Sequence, residues 1–168
     1  MRTNGLKLTL AILIVAAAAL LIWPEKIWSI VAGPADLGPV DFATLQKPGK
    51  PNAYLACPPA ICPSYAPDME PPVFEMDAAA LKALAATVLG KQPDVTLVEE
   101  PASGTSMRFV QRTPWLKFPD TISVRFVPVS DKQSTLAIYS RSQIGYSDLG
   151  ANETRVKHWL DVLEKARP

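Results

Sequence analysis

Six polar side chains in the second half of the chain have the types expected of an anion-binding site. They are Arg112, Arg125, Arg141, Tyr146, Asp148 and Arg155. A guanidinium group presents a planar fork of N–H donors that matches the oxygens of a phosphate or a carboxylate. The same arginines could instead pair with acidic residues on a solvated sheet face. The sequence therefore predicts a polar site for an anionic small molecule, a lipid head group or a protein partner, and leaves the structural alternative open.

Residues 140–152, which read SRSQIGYSDLGAN, form the sharpest part of this hypothesis. Gly145 and Gly150 supply permissive backbone where the chain turns into a helix. Asp148 can accept hydrogen bonds from nearby backbone N–H groups or pair with an arginine such as Arg155. Exposed N–H groups at the start of the helix could also receive an anion. A ligand site and a helix-entry loop capped by Asp148 are both compatible with this pattern.

Catalytic chemistry has weaker support in the sequence. His158 is the only histidine, and its helical position lies far from the apolar stripe, so we expect it to face solvent. A Ser-His-Asp site needs its histidine in a pocket, and no nucleophile-elbow, phosphate-loop or zinc motif is present. The alternative function is an envelope hydrolase of esters or phosphates that uses Asp120 or Asp148 as its acid–base group. We favour a non-enzymatic role, without a cofactor or a metal site.

Cys57 and Cys62 are the only two cysteines, and their C-x4-C spacing closes a short loop that contains prolines. In an oxidising compartment such a pair favours a disulfide. The chain-entropy model gives a loop this short about 2 kcal/mol of stabilisation. A structural zinc site needs four ligands, and a thioredoxin-like site needs C-x-x-C, so neither pattern fits as well.

The N-terminal segment predicts a membrane anchor. Residues 8–23 carry no charge, and a helix of this length spans about 24 Å. Lys7 can extend the span by snorkelling, and Trp23 sits where an interfacial residue belongs. A cleaved signal peptide is the rival reading, but large apolar residues follow the small ones at 16–19. Arg2 and Lys7 keep the N-terminus cytoplasmic, which in a bacterium makes the anchor a single pass through the inner membrane with a periplasmic body.

Composition then divides the chain into three parts. We expect a membrane anchor at residues 1–32, a Pro-rich linker at 33–51 that holds the body off the membrane, and a folded domain at 52–168. The stretch from about residue 52 to 75 is too apolar for a free linker, so it should pack along the domain surface. Without its two N-terminal cations the chain is close to neutral, which gives no basic patch for nucleic acid.

The domain reads as an α+β fold, a four-stranded antiparallel meander flanked by two helices. The predicted elements are a helix from Asp77, strands at 95–100, 106–113, 120–129 and 134–142, and a helix at 152–166. Alternation places one set of apolar side chains on one face of the sheet. This set is Ile122, Val124, Phe126, Leu136 and Ile138. The opposite face then carries the arginines, and we expect both helices to cover the apolar face.

Several motifs together resemble the domain of unknown function 1499 family. They are Asn52-Ala-Tyr-Leu-Ala-Cys57 with Cys62, Val110-Gln-Arg112, Phe118-Pro-Asp120, Tyr139-Ser-Arg-Ser142, Gly145-Tyr-Ser-Asp148-Leu-Gly150-Ala-Asn152, Arg155-Val156 and Trp159-Leu160. The resemblance covers about residues 50–165. It implies an uncharacterised bacterial protein with an N-terminal membrane segment, and it brings no activity, cofactor or substrate.

Overall fold

The computed structural model describes residues 2–99 and 104–167. Its elements in chain order are α1 (Arg2–Ile22), α2 (Pro24–Val31), β1 (Ala53–Ala56), α3 (Ala78–Leu89), β2 (Val95–Glu99), β3 (Ser106–Arg112), β4 (Pro119–Ser130), β5 (Gln133–Ser142) and α4 (Ala151–Lys165). The predicted helices and the four predicted strands are all present. Glu100, where β2 was expected to end, and most of the turn expected at 101–104 lie outside the described residues.

The sheet has five strands within the described residues, so the prediction of four is wrong. Its order is β1-β5-β4-β3-β2, and every neighbouring pair is antiparallel. The strands β2 to β5 form the predicted meander, and β1 adds to its edge with Leu55 opposite Tyr139. A strand of four residues carries almost no periodicity, and its partner comes more than 80 residues later. Only the tertiary structure reveals this pairing.

One face of the sheet packs against both α3 and α4, as predicted. Asp77 begins α3 by accepting a hydrogen bond from the backbone N–H of Ala80 at 2.8 Å. The two helices bury matching apolar stripes against the sheet. These stripes are Leu81, Ala85 and Leu89 on α3, and Val156, Trp159, Leu160 and Leu163 on α4. Burial of such side chains is the main stabilising contribution, at about 1.5–3 kcal/mol for each large one.

The other face of the sheet is covered too, although the sequence suggested a solvated face. A second apolar cluster forms there between the strands, the disulfide loop and a segment before β1. Phe42 from this segment is 4% exposed, and Tyr65 packs edge-on against Tyr139. Cys57 and Cys62 lie in the same cluster and form the predicted disulfide.

Residues 34–42, here called the strap, run along this second face. Leu37 donates its backbone N–H to Oγ1 of Thr121 at 3.0 Å, and Thr121 donates in turn to the carbonyl of Ala35. Arg141 donates from Nη2 to the carbonyls of Leu37 and Gly38, each at 3.0 Å. The first half of the expected linker is therefore irregular but attached to the domain, and it is not a free spacer.

The helix α1 is apolar and lies outside the core. Gly5–Ile22 has a mean hydropathy of 2.5, and none of this stretch is buried. It is long and apolar enough to cross a membrane by length and composition. Trp23 separates it from α2, which begins at Pro24, where a missing N–H costs nothing.

Candidate functional site

A buried polar network between the sheet and the start of α4 is centred on Arg155. Arg155 donates from Nε to Gln111 Oε1 at 2.6 Å and from Nη2 to Asp120 Oδ2 at 2.5 Å. Its Nη1 donates to Ser140 Oγ at 3.0 Å and to Asn152 Oδ1 at 2.6 Å. The side chains of Arg155 and Asp120 are only 8% and 4% exposed. Each guanidinium nitrogen of Arg155 thus has at least one hydrogen-bond partner within the domain.

Strand register explains why these groups meet. Gln111 lies opposite Asp120 in the β3–β4 pair, and Asp120 lies opposite Ser142 in the β4–β5 pair. All three occupy the helix-covered face at the end of the sheet, where apolar residues give way to polar ones. Arg155 sits in the first turns of α4, directly above this end. The network is therefore the polar edge of the core.

Asn152 ties the network to the chain on either side. Its Nδ2 donates to the carbonyl of Asn52, just before β1, at 3.0 Å and to Ser142 Oγ at 3.0 Å. The same amide also donates to Asp148 Oδ2 at 2.6 Å. Asn152 is fully buried, and its Oδ1 accepts from Arg155. The side-chain amide of Asn152 thus links the start of β1, the end of β5 and the loop before α4. A buried polar network is stabilising only when its polar groups have such partners.

Asp148 caps the helix entry, which is the structural alternative that the sequence left open. Its two carboxylate oxygens accept from the backbone N–H groups of Gly150 at 3.1 Å and Asn152 at 2.9 Å. Gly150 is the N-cap residue with φ of 83°, a conformation that glycine adopts without strain. Arg155 was considered as the partner of Asp148, but its ion pair is with Asp120.

The electrostatics of Asp120 follow from its burial. Desolvation raises the pKa of Asp120, and the opposing effects of the Arg155 charge and of hydrogen bonds from Ser142 and Arg155 do not fully compensate. The negative charge of Asp148 raises the pKa of Asp120 further. Desolvation of a buried ion pair commonly matches or exceeds its Coulombic gain, whereas breaking the pair leaves a costly unpaired charge. Both carboxylates considered for acid–base catalysis thus already have ion-pair or hydrogen-bond partners within the domain.

The remaining predicted site residues do not converge with this network. Arg112 donates to the carbonyl of Lys117 at 3.3 Å and lies 3.7 Å from the carboxylate of Glu25 on α2. Arg125 is exposed on β4, and Tyr146 is 69% exposed in the loop before α4. The six residues are therefore spread over several parts of the surface and core, and their binding role stays a prediction.

Arg141 holds the strap. Burial lowers the pKa of Arg141 more than the nearby Tyr139 and Asp36 raise it. Its Nε is buried without a hydrogen-bond partner among the described residues, while its guanidinium carbon lies 5.8 Å from the centre of the Tyr139 ring. Arg108 binds the same strap, through two hydrogen bonds of 2.8 and 2.9 Å to the Asp36 carboxylate. Arg108 and Arg141 thus have a structural role, which the sequence left open as pairing with acidic residues, but the strap as their partner was not predicted.

Asp148 also lines a cavity of about 240 Å³ beside the end of β1. This cavity contains no arginine, but Lys47 and Lys50 lie at its rim together with Tyr54 and Tyr65. Neither lysine was a predicted site residue, because both fall in the stretch assigned to the linker. A second, more open groove of about 370 Å³ runs past Arg155 and His158. Within residues 2–99 and 104–167, no cluster of three or more metal-ligating residues could hold a metal ion.

His158 is exposed, as predicted, and its Nε2 lies 3.1 Å from Gln92 Oε1. The network members that the sequence analysis did not select are Asn52, Gln111, Ser140, Ser142 and Asn152. Each of them lies inside one of the quoted family motifs. Their place in these motifs was the only sequence feature that could have identified them, because a buried arginine needs polar side chains as hydrogen-bond partners.

Residues 43–163 match the family model described as "Protein of unknown function (DUF1499)". The chain belongs to this family. The matched range contains the whole polar network, from Asn52 to Arg155, whereas α1, α2 and the strap precede it. No curated protein and no solved structure matches the chain. The family motifs therefore coincide with the framework that joins β1, the sheet and α4.

Proposed function

We propose that this DUF1499 protein is a single-pass membrane protein of the bacterial envelope whose domain is a binding or scaffolding module. The apolar and unburied Gly5–Ile22 supports the anchor. Arg2 and Lys7 favour a cytoplasmic N-terminus and a periplasmic domain by the positive-inside rule. A disulfide between Cys57 and Cys62 suits that oxidising compartment.

The observation that carries the non-catalytic role is the engagement of both candidate carboxylates. Asp120 is buried against Arg155, and Asp148 accepts two backbone N–H groups at the start of α4. A general acid or base must reach a substrate proton within hydrogen-bonding distance. Asp120 is buried, and Asp148, although it lines a cavity, already accepts hydrogen bonds at both carboxylate oxygens. The most distinctive residues of the chain thus stabilise a rigid framework, which is what a binding or scaffolding module needs.

The cavity beside Asp148 is the place where this module would bind an anionic group. Lys47 and Lys50 are exposed at its rim, and Lys47 Nζ lies 5.8 Å from the centre of the Tyr65 ring. Ammonium groups attract phosphate or carboxylate, while the aromatic wall favours an apolar part of the ligand. Three carboxylates also line the cavity, those of Asp68, Asp148 and Glu153, so the ligand should carry a cationic part besides its anionic group. At about 240 Å³, the cavity suits a head group or a small metabolite.

Native mass spectrometry of the full chain in a mild detergent tests this role. We expect a co-purifying anionic adduct on the wild type and at least a tenfold lower occupancy in the Lys47→Glu/Lys50→Glu variant. The matched control is Lys91→Glu/Lys132→Glu, which reverses two exposed charges away from the cavity and should keep the adduct. A wild type without any adduct, or equal loss in both variants, would refute the anion site and leave a protein-scaffolding role, to be sought by crosslinking in the membrane.

A further inference from the structure

We propose that the β3–β4 connection, residues 113–118, is a second membrane contact that seats the domain directly on the lipid surface beside its anchor. This contact presupposes the membrane anchoring proposed above and specifies how the domain stands on the bilayer. The partner is the interfacial layer of the bilayer, where head groups meet the acyl chains.

Two hydrogen bonds join the ends of this loop, and the side chain of Trp115 at its tip is exposed. Thr113 N donates to the carbonyl of Phe118 at 3.0 Å, and Phe118 N donates back to Thr113 Oγ1 at 3.0 Å. At the tip, Trp115 is 88% exposed and Leu116 is 40% exposed. The sequence favours buried edge packing for Trp115 over a surface aromatic patch, since tryptophan is highly buried on average, and the structure shows the opposite. Together with the exposed end of α1, these side chains form a contiguous apolar surface, which is the kind of surface that marks a membrane or protein contact.

The helix α2 fixes the position of this loop. Trp28 donates from Nε1 to the carbonyl of Leu116 at 2.5 Å, and its ring lies 4.7 Å from the ring of Phe118. Glu25 and Arg112 add an ion pair at 3.7 Å between α2 and the end of β3. Since α2 follows α1 after the single residue Trp23, these contacts hold the loop close to the end of the apolar helix.

The surface of the loop is continuous with the end of α1. Trp115 and Lys117 line one cavity together with Leu21, Ile22 and Trp23. If α1 spans the bilayer, its last apolar residues lie at the edge of the hydrocarbon core, and Trp115 lies at the same level. Tryptophan is enriched at that level because its amphipathic ring suits a layer that is half apolar and half hydrated.

Charge at this surface agrees with lipid as the partner. Lys26 lies at the same cavity and is exposed, so its ammonium group can face the phosphates beside the two indoles. At the C-terminal end of α2, Ile30 and Val31 are 83% and 70% exposed, which adds further exposed apolar surface near the loop. A protein partner would need to fit between the domain and the bilayer at this place.

The test places a fluorescent label at three single positions of the full chain in vesicles of phosphatidylcholine and phosphatidylglycerol. The variants Trp115→Cys, Lys132→Cys and Leu13→Cys are labelled with an environment-sensitive dye under non-reducing conditions, where Cys57 and Cys62 are bonded to each other. Trp115 and Lys132 are both exposed and lie at opposite ends of β4, about 40 Å apart at 3.3 Å per residue. Lipids with a spin label at a shallow or a deep acyl position then report the depth of each dye.

We expect the dye at position 115 to be quenched at least threefold more by the shallow spin label than the dye at 132. The dye at position 13 should respond most to the deep spin label. A buried dye at 13 with a hydrated, unquenched dye at 115 would overturn the loop contact and leave the anchor intact. A hydrated dye at 13 would overturn the anchor, and with it both proposals. Equal quenching at 115 and 132 would show non-specific adsorption and would also overturn the loop contact.

Discussion

At the scale of single residues, the buried Arg155 is the centre of the domain's polar core. Its guanidinium group bonds to Gln111, Asp120, Ser140 and Asn152, and its side chain is only 8% exposed. An arginine in a sequence motif looks the same whether it binds a substrate or a neighbouring strand. Burial and partner count decide between these roles, and here they favour structure.

We expect Arg155→Met to lower the free energy of unfolding by about 3–5 kcal/mol, because it leaves the Asp120 carboxylate buried and unpaired. The control is Arg125→Met, on an exposed part of β4, which should change it by less than about 0.5 kcal/mol. Chemical denaturation of the full chain in detergent measures both. Similar losses in the two variants would contradict the assignment of Arg155 as the centre of the core network.

At the scale of elements, the strap is held to the sheet by charge-assisted hydrogen bonds. Burial raises the pKa of Asp36, but hydrogen bonds from Arg108 and from the backbone N–H of Gly38 outweigh it, so the pKa of Asp36 lies below its usual value. Arg108 also pairs with Glu99 on β2. A depressed pKa means that the ionised carboxylate stabilises the folded state, and that this stabilisation is lost as pH falls through the folded pKa.

We therefore expect Asp36→Asn to cost about 1–2 kcal/mol of the free energy of unfolding at pH 7, because a charge-assisted hydrogen bond is weakened. The difference from wild type should be complete above the unfolded pKa of about 4 and should disappear as pH falls through the lower folded value. Denaturation at pH 7 and pH 3 checks this, with hydrogen exchange at residues 35–38 reporting strap release. Asp131→Asn, in the exposed β4–β5 turn, is the control and should change neither. A pH-independent difference would show that Asp36 acts by packing alone.

At the scale of the whole molecule, the apolar helix α1, α2 and the strap lie outside the range that matches the family model. They are nevertheless in contact with the domain through Trp28, Arg108, Arg141 and Gln143. Gln143 donates to the carbonyls of Ala32 and Pro34, at the junction of α2 and the strap. The domain is thus held at a short distance from the apolar helix α1.

The proposed orientation predicts that alkaline phosphatase fused to the C-terminus will be active in bacteria, because this enzyme matures only outside the cytoplasm. The variant Arg2→Glu/Lys7→Glu should lower that activity severalfold, since positive residues near the helix end keep it cytoplasmic. Lys91→Glu/Lys132→Glu reverses as many charges far from the helix and should leave the activity unchanged. If the phosphatase fusion is inactive and a fluorescent protein fused to the C-terminus folds in the cytoplasm, the proposed orientation is wrong.

Much of the fold was predictable because it rests on local patterns. The stripe of α4, the Asp77 cap and the alternation in β4 each follow from periodicity within a few residues. The site was less predictable. Arg125 and Arg141 were predicted to share one sheet face, with Arg108 and Arg112 joining them depending on the register, and the strand register places all four there. Whether that face meets water depended on a segment about 70 or more residues earlier in the chain.

The sequence by itself determined the apolar N-terminal helix, the meander with its two covering helices, the disulfide pair and the family. These features depend on composition, short-range periodicity and motif spacing, which a linear chain displays directly. Only the tertiary structure decided that β1 joins β5, that the strap covers the second face, that Arg155 pairs with Asp120, and that Trp115 stands exposed beside the end of α1. Each of these depends on contacts between residues far apart in the chain, and the free energy of such a contact is set by burial and geometry that no local pattern encodes.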